Sequence, residues 1–130
     1  MYDDLTFVFD VDGTICPVKK ENERYEDIVP YSEMVDKIRE YKRGGARIVL
    51  LTSRNMNTYN GNLGLINANT AKVLLEWLDK WEIPYDEIIY GKPWAGPHGF
   101  YVDDRTVRPS EFLTKSVSEL DEIVRRDRCR

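Results

Sequence analysis

Two short, almost continuously apolar runs with a helical pattern between them constrain this chain more than any other feature. Leu5-Thr6-Phe7-Val8-Phe9 and Arg47-Ile48-Val49-Leu50-Leu51 have strand length, and unbroken apolar character belongs to a strand buried on both faces. Between them Met34, Val35, Ile38 and Tyr41 recur at helical spacing, with Ser32 as N-cap and Gly44-Gly45 as the stop. Strand, helix, strand in that order calls for a parallel pair joined by a crossover helix. The alternation continues. Ala71, Leu74, Leu75, Leu78 and Trp81 form one face of a second helix, begun near Asn69-Thr70 and ended before Pro84. Asp86-Glu87-Ile88-Ile89-Tyr90 reads as a third strand and Gly99-Phe100-Tyr101-Val102 as a fourth. Ser116-Val117-Ser118-Glu119 is a capping box that opens a last helix through Leu120, Ile123 and Val124. The expected fold is therefore α/β, a parallel sheet with helices on both faces, in one domain over residues 1–130.

Composition narrows the function. With 42% hydrophobic and 32% charged residues, the chain has the apolar mass for one core and is neither disordered nor fibrous. No apolar run approaches the roughly 18–20 residues of a membrane span, and acids stand at Asp3-Asp4 where a signal peptide would carry Lys or Arg. A cytoplasmic protein without a membrane partner is expected. Lys and Arg number 19 against 23 Asp and Glu, which argues against a nucleic-acid partner, since backbone binding needs a clustered positive surface. The one basic cluster, Arg125-Arg126-Asp127-Arg128-Cys129-Arg130, suits a solvated helix C-terminus. Two distant cysteines, Cys16 and Cys129, read as reduced thiols, and the single histidine, His98, excludes multi-histidine metal sites. Any chemistry falls to the acids.

Parallel α/β sheets bind ligands at the carboxyl ends of their strands. The residues that follow the four expected strands are Asp10-Val11-Asp12-Gly13-Thr14, Thr52-Ser53-Arg54, Gly91-Lys92-Pro93 and Asp103-Asp104-Arg105. Acids, hydroxyls and a lysine thus converge on one edge. If Asp10, Asp12 and Asp103 meet at about 5 Å, each pair repels by roughly 3 kcal/mol at an effective dielectric near 20. That cost is retained where a cation sits, and oxygen ligands without Cys or His suit Mg²⁺. A calcium loop is excluded because Ile15 stands where its sharp-turn glycine belongs.

Asp10-Val11-Asp12-Gly13-Thr14 after an apolar strand resembles the first motif of the haloacid dehalogenase superfamily of phosphotransferases. Thr52 resembles its second motif, Lys92 its third and Asp103-Asp104 its acidic fourth, so the resemblance spans about residues 5–104. Two acids at Asp10 and Asp12 are similar to the phosphatase and phosphomutase branches. The resemblance implies a Rossmann-like sheet and hydrolysis of a phosphomonoester through an aspartyl-phosphate. Asp10 would be the nucleophile and Asp12 the acid and base. Mg²⁺ would be held by Asp10, Asp103 and the main-chain carbonyl of Asp12, with Asp104 an alternative or indirect ligand. Thr52, Ser53 and Lys92 would bind the phosphoryl oxygens. Thr52-Ser53-Arg54-Asn55-Met56, Tyr59-Asn60-Gly61-Asn62 and Asn67-Ala68-Asn69-Thr70 are similar to small members found in capsule and surface-polysaccharide biosynthesis. That implies a sugar phosphate or phosphorylated nucleotide-sugar derivative as substrate. Asp103-Asp104-Arg105 is also similar to polynucleotide 3′-phosphatase domains. The chain departs from the pattern in having only Pro93 to His98 between the lysine motif and the fourth strand, and no obvious fifth strand.

The stretch from Arg54 to Asn69 holds six of the seven asparagines and little periodicity. A loop this long is commonly functional or disordered, and Arg54, Asn60 and Asn62 are candidate contacts to a hydroxyl-rich substrate. Arg24 and Tyr25 lie in an insert too short for a cap domain, though long enough for a flap. His98 is a substrate contact or a loop-structural residue, Cys16 is inert packing, and Trp77 and Trp81 belong to the core or a partner surface. Trp94 lies near the expected ligand edge. A binding module that keeps the fold without turnover is the alternative to an enzyme.

Overall fold

A computed structural model describes residues 1–128, so Cys129 and the end of the basic tail lie outside the described residues. The chain divides into two compact units, Met1–Trp94 and Ala95–Arg130. In the first, strands β1 (Thr6–Phe9), β2 (Arg47–Thr52) and β3 (Glu87–Tyr90) form a parallel sheet in the order β1-β2-β3. Helix α1 (Ser32–Arg43) crosses from β1 to β2. Residues 63–80 cross from β2 to β3 as α2 (Leu63–Leu65), a π-helical turn (Ile66–Thr70) and α3 (Ala71–Lys80).

The helix periodicity of α1 carries over into packing: Met34, Val35, Ile38 and Tyr41 are all buried. Ser32 is the first helical residue and makes no side-chain cap, Tyr31 holding the N-cap position. At the other end Gly44 caps the helix and Gly45 turns out of it. The carbonyls that end α3 are met by Arg39 of α1, whose Nη2 donates to Trp81 O at 2.7 Å and Nε to Glu82 O at 3.0 Å. Asp86 fastens the entry of β2, accepting from Ile48 N at 2.8 Å and from Lys42 Nζ at 2.7 Å.

The register Phe7–Ile48 and Phe9–Leu50–Ile88 puts one sheet face into the core, where Phe7 meets Tyr41 of α1 with ring centroids 4.6 Å apart. The opposite face is buried only along β2. Val49 is 5% exposed while Val8 is 59% and Ile89 48% exposed, and an Arg47–Glu87 ion pair of 3.0 Å lies across it. The expectation that β1 is buried on both faces is thus corrected. β1 and β3 are the margins of this sheet, and continuous apolar character does not separate a margin from a centre.

Two further corrections concern the rest of the chain. Residues 63–70 are helical, so half of the expected asparagine-rich loop belongs to the second crossover. Asn62 caps this helix by accepting from Leu65 N at 3.2 Å, and the π-helical turn hides the period that would reveal it. Gly99-Phe100-Tyr101-Val102 forms no strand among the described residues. Phe100 is 87% and Val102 96% exposed. The second unit instead holds α4 (Pro109–Thr114) and α5 (Val117–Arg128), which bury Phe112 and Leu120. The capping box forms as expected: Ser116 N donates to Glu119 Oε1 at 2.9 Å and Glu119 N to Ser116 Oγ at 3.2 Å.

Candidate functional site

The carboxyl ends of β1, β2 and β3 bring together six of the residues singled out in the sequence. After β1 the chain folds tightly around one carbonyl: Val11 O accepts from Thr14 N at 3.1 Å and Ile15 N at 2.9 Å. Val11, Ile15 and Cys16 are fully buried. Because alternate residues of extended chain point to the same side, burying Val11 turns Asp10 and Asp12 together away from the core. Gly13 makes the turn at φ +92°, a left-handed value that a side chain rarely adopts.

Each acid faces its own cation. Asp12 receives a two-pronged contact from Arg54, with Nε to Oδ2 at 3.1 Å and Nη2 to Oδ1 at 2.9 Å. Cys16 Sγ approaches the same Oδ1 at 3.7 Å. Asp10 lies 3.5 Å from Lys92 Nζ through Oδ1 and accepts from Thr14 Oγ1 at 3.3 Å through Oδ2. Lys92 is brought there by the end of β3, its N donating to Thr52 O at 3.1 Å. Gly91 permits this turn at φ +90° with Leu63 packed against its Cα. Thr52 is buried, and its Oγ1 accepts from Arg54 N at 3.0 Å. That bond leaves the hydroxyl hydrogen to donate. Ser53 is half-buried between them.

Burial pushes the Asp10 carboxyl above its ordinary value; Lys92 opposes this and neighbouring Asp12 adds to it. Burial lowers the Arg54 guanidinium, but the bond and charge of Asp12 outweigh that and hold it above its ordinary value. Burial and Asp12 push the Cys16 thiol up to about 12, in keeping with inert packing. Among the described residues, two buried polar atoms here have no hydrogen-bond partner: Arg54 Nη1 and Tyr90 Oη. A buried N–H without an acceptor costs roughly 1–3 kcal/mol, so Nη1 is a point where an anionic oxygen would be welcome.

Asn60 and Asn62 are exposed, and the asparagines of this stretch have backbone work of their own. Asn55 and Asn60 adopt left-handed φ of 63° and 49°, Asn55 Oδ1 accepts from Thr70 Oγ1 at 2.7 Å, and Asn69 Nδ2 donates to Leu65 O at 2.9 Å. His98, Asp103 and Asp104 belong to the second unit and are exposed. Asp103 Oδ1 accepts from Arg105 N at 2.9 Å, and Asp104 pairs with Arg128 at 3.1 Å. Sequence reasoning gave no role to Thr14 or Tyr90. The first stands four residues after Asp10 in the motif itself, and the second closes the strand that delivers Lys92.

Among the described residues no three His, Cys, Asp or Glu side chains gather closely enough to hold a metal ion by themselves. Mg²⁺ does not require that, because it commonly binds one or two carboxylates and keeps waters or phosphate oxygens for its other positions. The hard oxygens of Asp10 and Asp12 fit such an ion.

No protein-family model and no curated protein matches the chain. Among solved structures, the crystal structure of a structural-genomics target from Vibrio cholerae is similar with a TM-score of 0.88 and 42% identity, covering 95% of this chain and 98% of that one. A Pnkp1/Rnl/Hen1 complex gives a TM-score of 0.49 at 17% identity, over 85% of this chain and 34% of that one. No helix of the described residues is long and apolar enough to cross a membrane.

Proposed function

The chain belongs to the same family as the Vibrio cholerae protein, and we propose that it is a magnesium-dependent phosphomonoesterase of the haloacid dehalogenase type. One observation carries the reading. Two carboxylates at the end of β1, Asp10 and Asp12, each face a cation from a following strand end, Lys92 and Arg54, beside the buried Thr52 hydroxyl. An Asp-x-Asp pair matched by two cations and a hydroxyl donor provides both a nucleophile and a receptor for phosphoryl oxygens.

In this reading Asp12 takes up a proton as the substrate binds; an Asp10 oxygen then attacks phosphorus, the ester P–O bond breaks, and the leaving oxygen takes that proton from Asp12. Asp12 then removes a proton from water. The water oxygen attacks phosphorus and the P–O bond to Asp10 breaks, releasing inorganic phosphate with the Asp10 carboxylate restored and Asp12 protonated again. The Arg54 fork fixes the Asp12 carboxylate and leaves Oδ2 a second lone pair for the proton. Lys92, the Thr52 hydroxyl, Ser53 and Arg54 Nη1 receive phosphoryl oxygens. Asp10 and Asp12 would hold Mg²⁺, with Asp103 and Asp104 further ligand candidates on their motif alone; the ion would offset the charge of the phosphoryl group. The substrate class is a sugar phosphate or phosphorylated nucleotide-sugar derivative of surface-polysaccharide biosynthesis, met by a site without a cap domain. Asn60, Asn62 and His98 are the candidate contacts to its sugar.

The test is phosphate release from a panel of sugar phosphates, nucleotides and phosphorylated nucleotide-sugars, with Asp10→Asn as control. Release by the wild type and none by the variant supports the reading. Absence of both turnover and a phospho-enzyme on every substrate would leave a binding module in its place.

A further inference from the structure

We propose that Tyr25 is a positioning residue that fixes the direction in which Arg54 presents its Nη1 to the phosphoryl group. The inference rests on the phosphatase reading and adds a residue that the reading does not contain. The guanidinium carbon of Arg54 lies 4.1 Å from the centroid of the Tyr25 ring, within stacking range. One edge of that guanidinium is taken up by Asp12 through Nε and Nη2. A planar group held along one edge can still tilt about the line of those two bonds. A ring packed 4.1 Å from the guanidinium carbon limits that tilt, and with it the direction of the unpartnered, buried Nη1.

The ring is itself well held. Tyr25 opens the 3₁₀ turn Tyr25–Asp27, which runs into Ile28. Ile28 O accepts from the buried Trp77 Nε1 at 2.7 Å, and Tyr31 N donates to Ile15 O at 2.8 Å. The insert after the first motif is therefore tied both to α3 and to the loop that carries Asp12. Arg54 is 2% exposed at its side chain, so water does not screen the cation from the ring. Stacking needs the ring and not the hydroxyl, which separates this role from a hydrogen-bonding one.

The test is a cycle on the full chain with Mg²⁺, reading inorganic phosphate binding by calorimetry and kcat/KM on nitrophenyl phosphate. Tyr25→Phe should stay within about twofold of wild type. Tyr25→Leu should weaken phosphate binding and lower kcat/KM by about 3- to 30-fold, the range for a cation held against a ring. In an Arg54→Ala background the same Tyr25→Leu change should add less than about twofold. The inference is overturned if Tyr25→Leu matches wild type, if Tyr25→Phe is as damaging as Tyr25→Leu, or if the full loss recurs without Arg54. Should Tyr25→Leu melt early, Tyr25→Met replaces it in the same cycle. A wild type that neither binds nor releases phosphate overturns the phosphatase reading itself, and the inference with it.

Discussion

Replacing Arg54 with alanine should destabilise the first unit by about 2–4 kcal/mol, although the residue stands in a ligand site and not in the apolar core. Removing one partner of a buried ion pair costs roughly 3–5 kcal/mol when the charge left behind stays dry. The Asp12 side chain is 22% exposed against 2% for Arg54, so water returns to part of the abandoned carboxylate and the lower end applies. Loss of the contact with Tyr25 adds about 0.5–2 kcal/mol, the upper end applying to a desolvated cation. Against these, alanine removes the unpartnered Nη1, whose burial costs about 1 kcal/mol or more. The assay is urea unfolding followed by tryptophan fluorescence, Trp77 being buried, with the slope compared between variants. In the Asp12→Ala, Arg54→Ala double variant the loss should be smaller than the sum of the single losses, because neither charge is left alone. Additive losses, or a loss below about 0.5 kcal/mol for Arg54→Ala, would refute the reasoning.

Asp10→Asn should unfold at higher urea than wild type at pH 7 in metal-free buffer. Burial raises the folded carboxyl above 3.8, so wild-type stability declines as pH rises from 3.8 through the folded value; equal midpoints at pH 7 would count against this. Asp86 has the opposite sign: the Ile48 N–H first, then Lys42, hold it below 3.8, so its stabilisation is present above 3.8 and lost as pH falls through the folded value. Asp86→Ala should therefore lower the urea midpoint at pH 7 with a deficit that narrows in acid, and a pH-independent deficit would show that the charge is not responsible. Chelation of divalent cations should abolish phosphate release and added Mg²⁺ should restore it; undiminished release in chelator would remove the metal from the reading.

The legible parts of this chain are those decided by short-range patterns. α1 buries the four residues its period names, and the Ser116–Glu119 box closes with both hydrogen bonds. Asp10, Asp12, Thr52 and Lys92 could be placed at strand ends because a parallel sheet leaves those ends on one edge. What the sequence hid depends on neighbours. Val8 and Val49 are the same residue type, yet one is 59% and the other 5% exposed, because among the described residues only β2 has a strand on each side. Gly99-Phe100-Tyr101-Val102 has strand composition, but a strand exists only where another edge accepts its hydrogen bonds. The asparagines after Arg54 suggested sugar recognition, while left-handed turns and a helix cap account for several of them. These two uses of asparagine have the same composition. The Arg54 fork on Asp12 could not be read at all, since 42 residues separate the partners and only the turn after β2 decides where the guanidinium goes.

That fork also changes the electrostatic case for a metal. From the sequence, a cation was needed to relieve carboxylates crowded at one edge. In the first unit that need is already met at rest: Asp10 and Asp12 contribute two negative charges, Lys92 and Arg54 two positive ones, all within ion-pair range of each other in matched couples. The imbalance arises with the substrate. A phosphate dianion brings two further negative charges beside Asp10, which must itself remain an anion to attack. With Asp12 protonated for its role as acid, the complex still carries three negative charges, from Asp10 and the dianion, against two positive ones, from Lys92 and Arg54. On the proposed reading a divalent cation offsets this excess. The metal is then demanded by the complex with substrate more than by the resting protein, which agrees with an ion that needs only one or two carboxylates from the chain and takes phosphate oxygens for the rest.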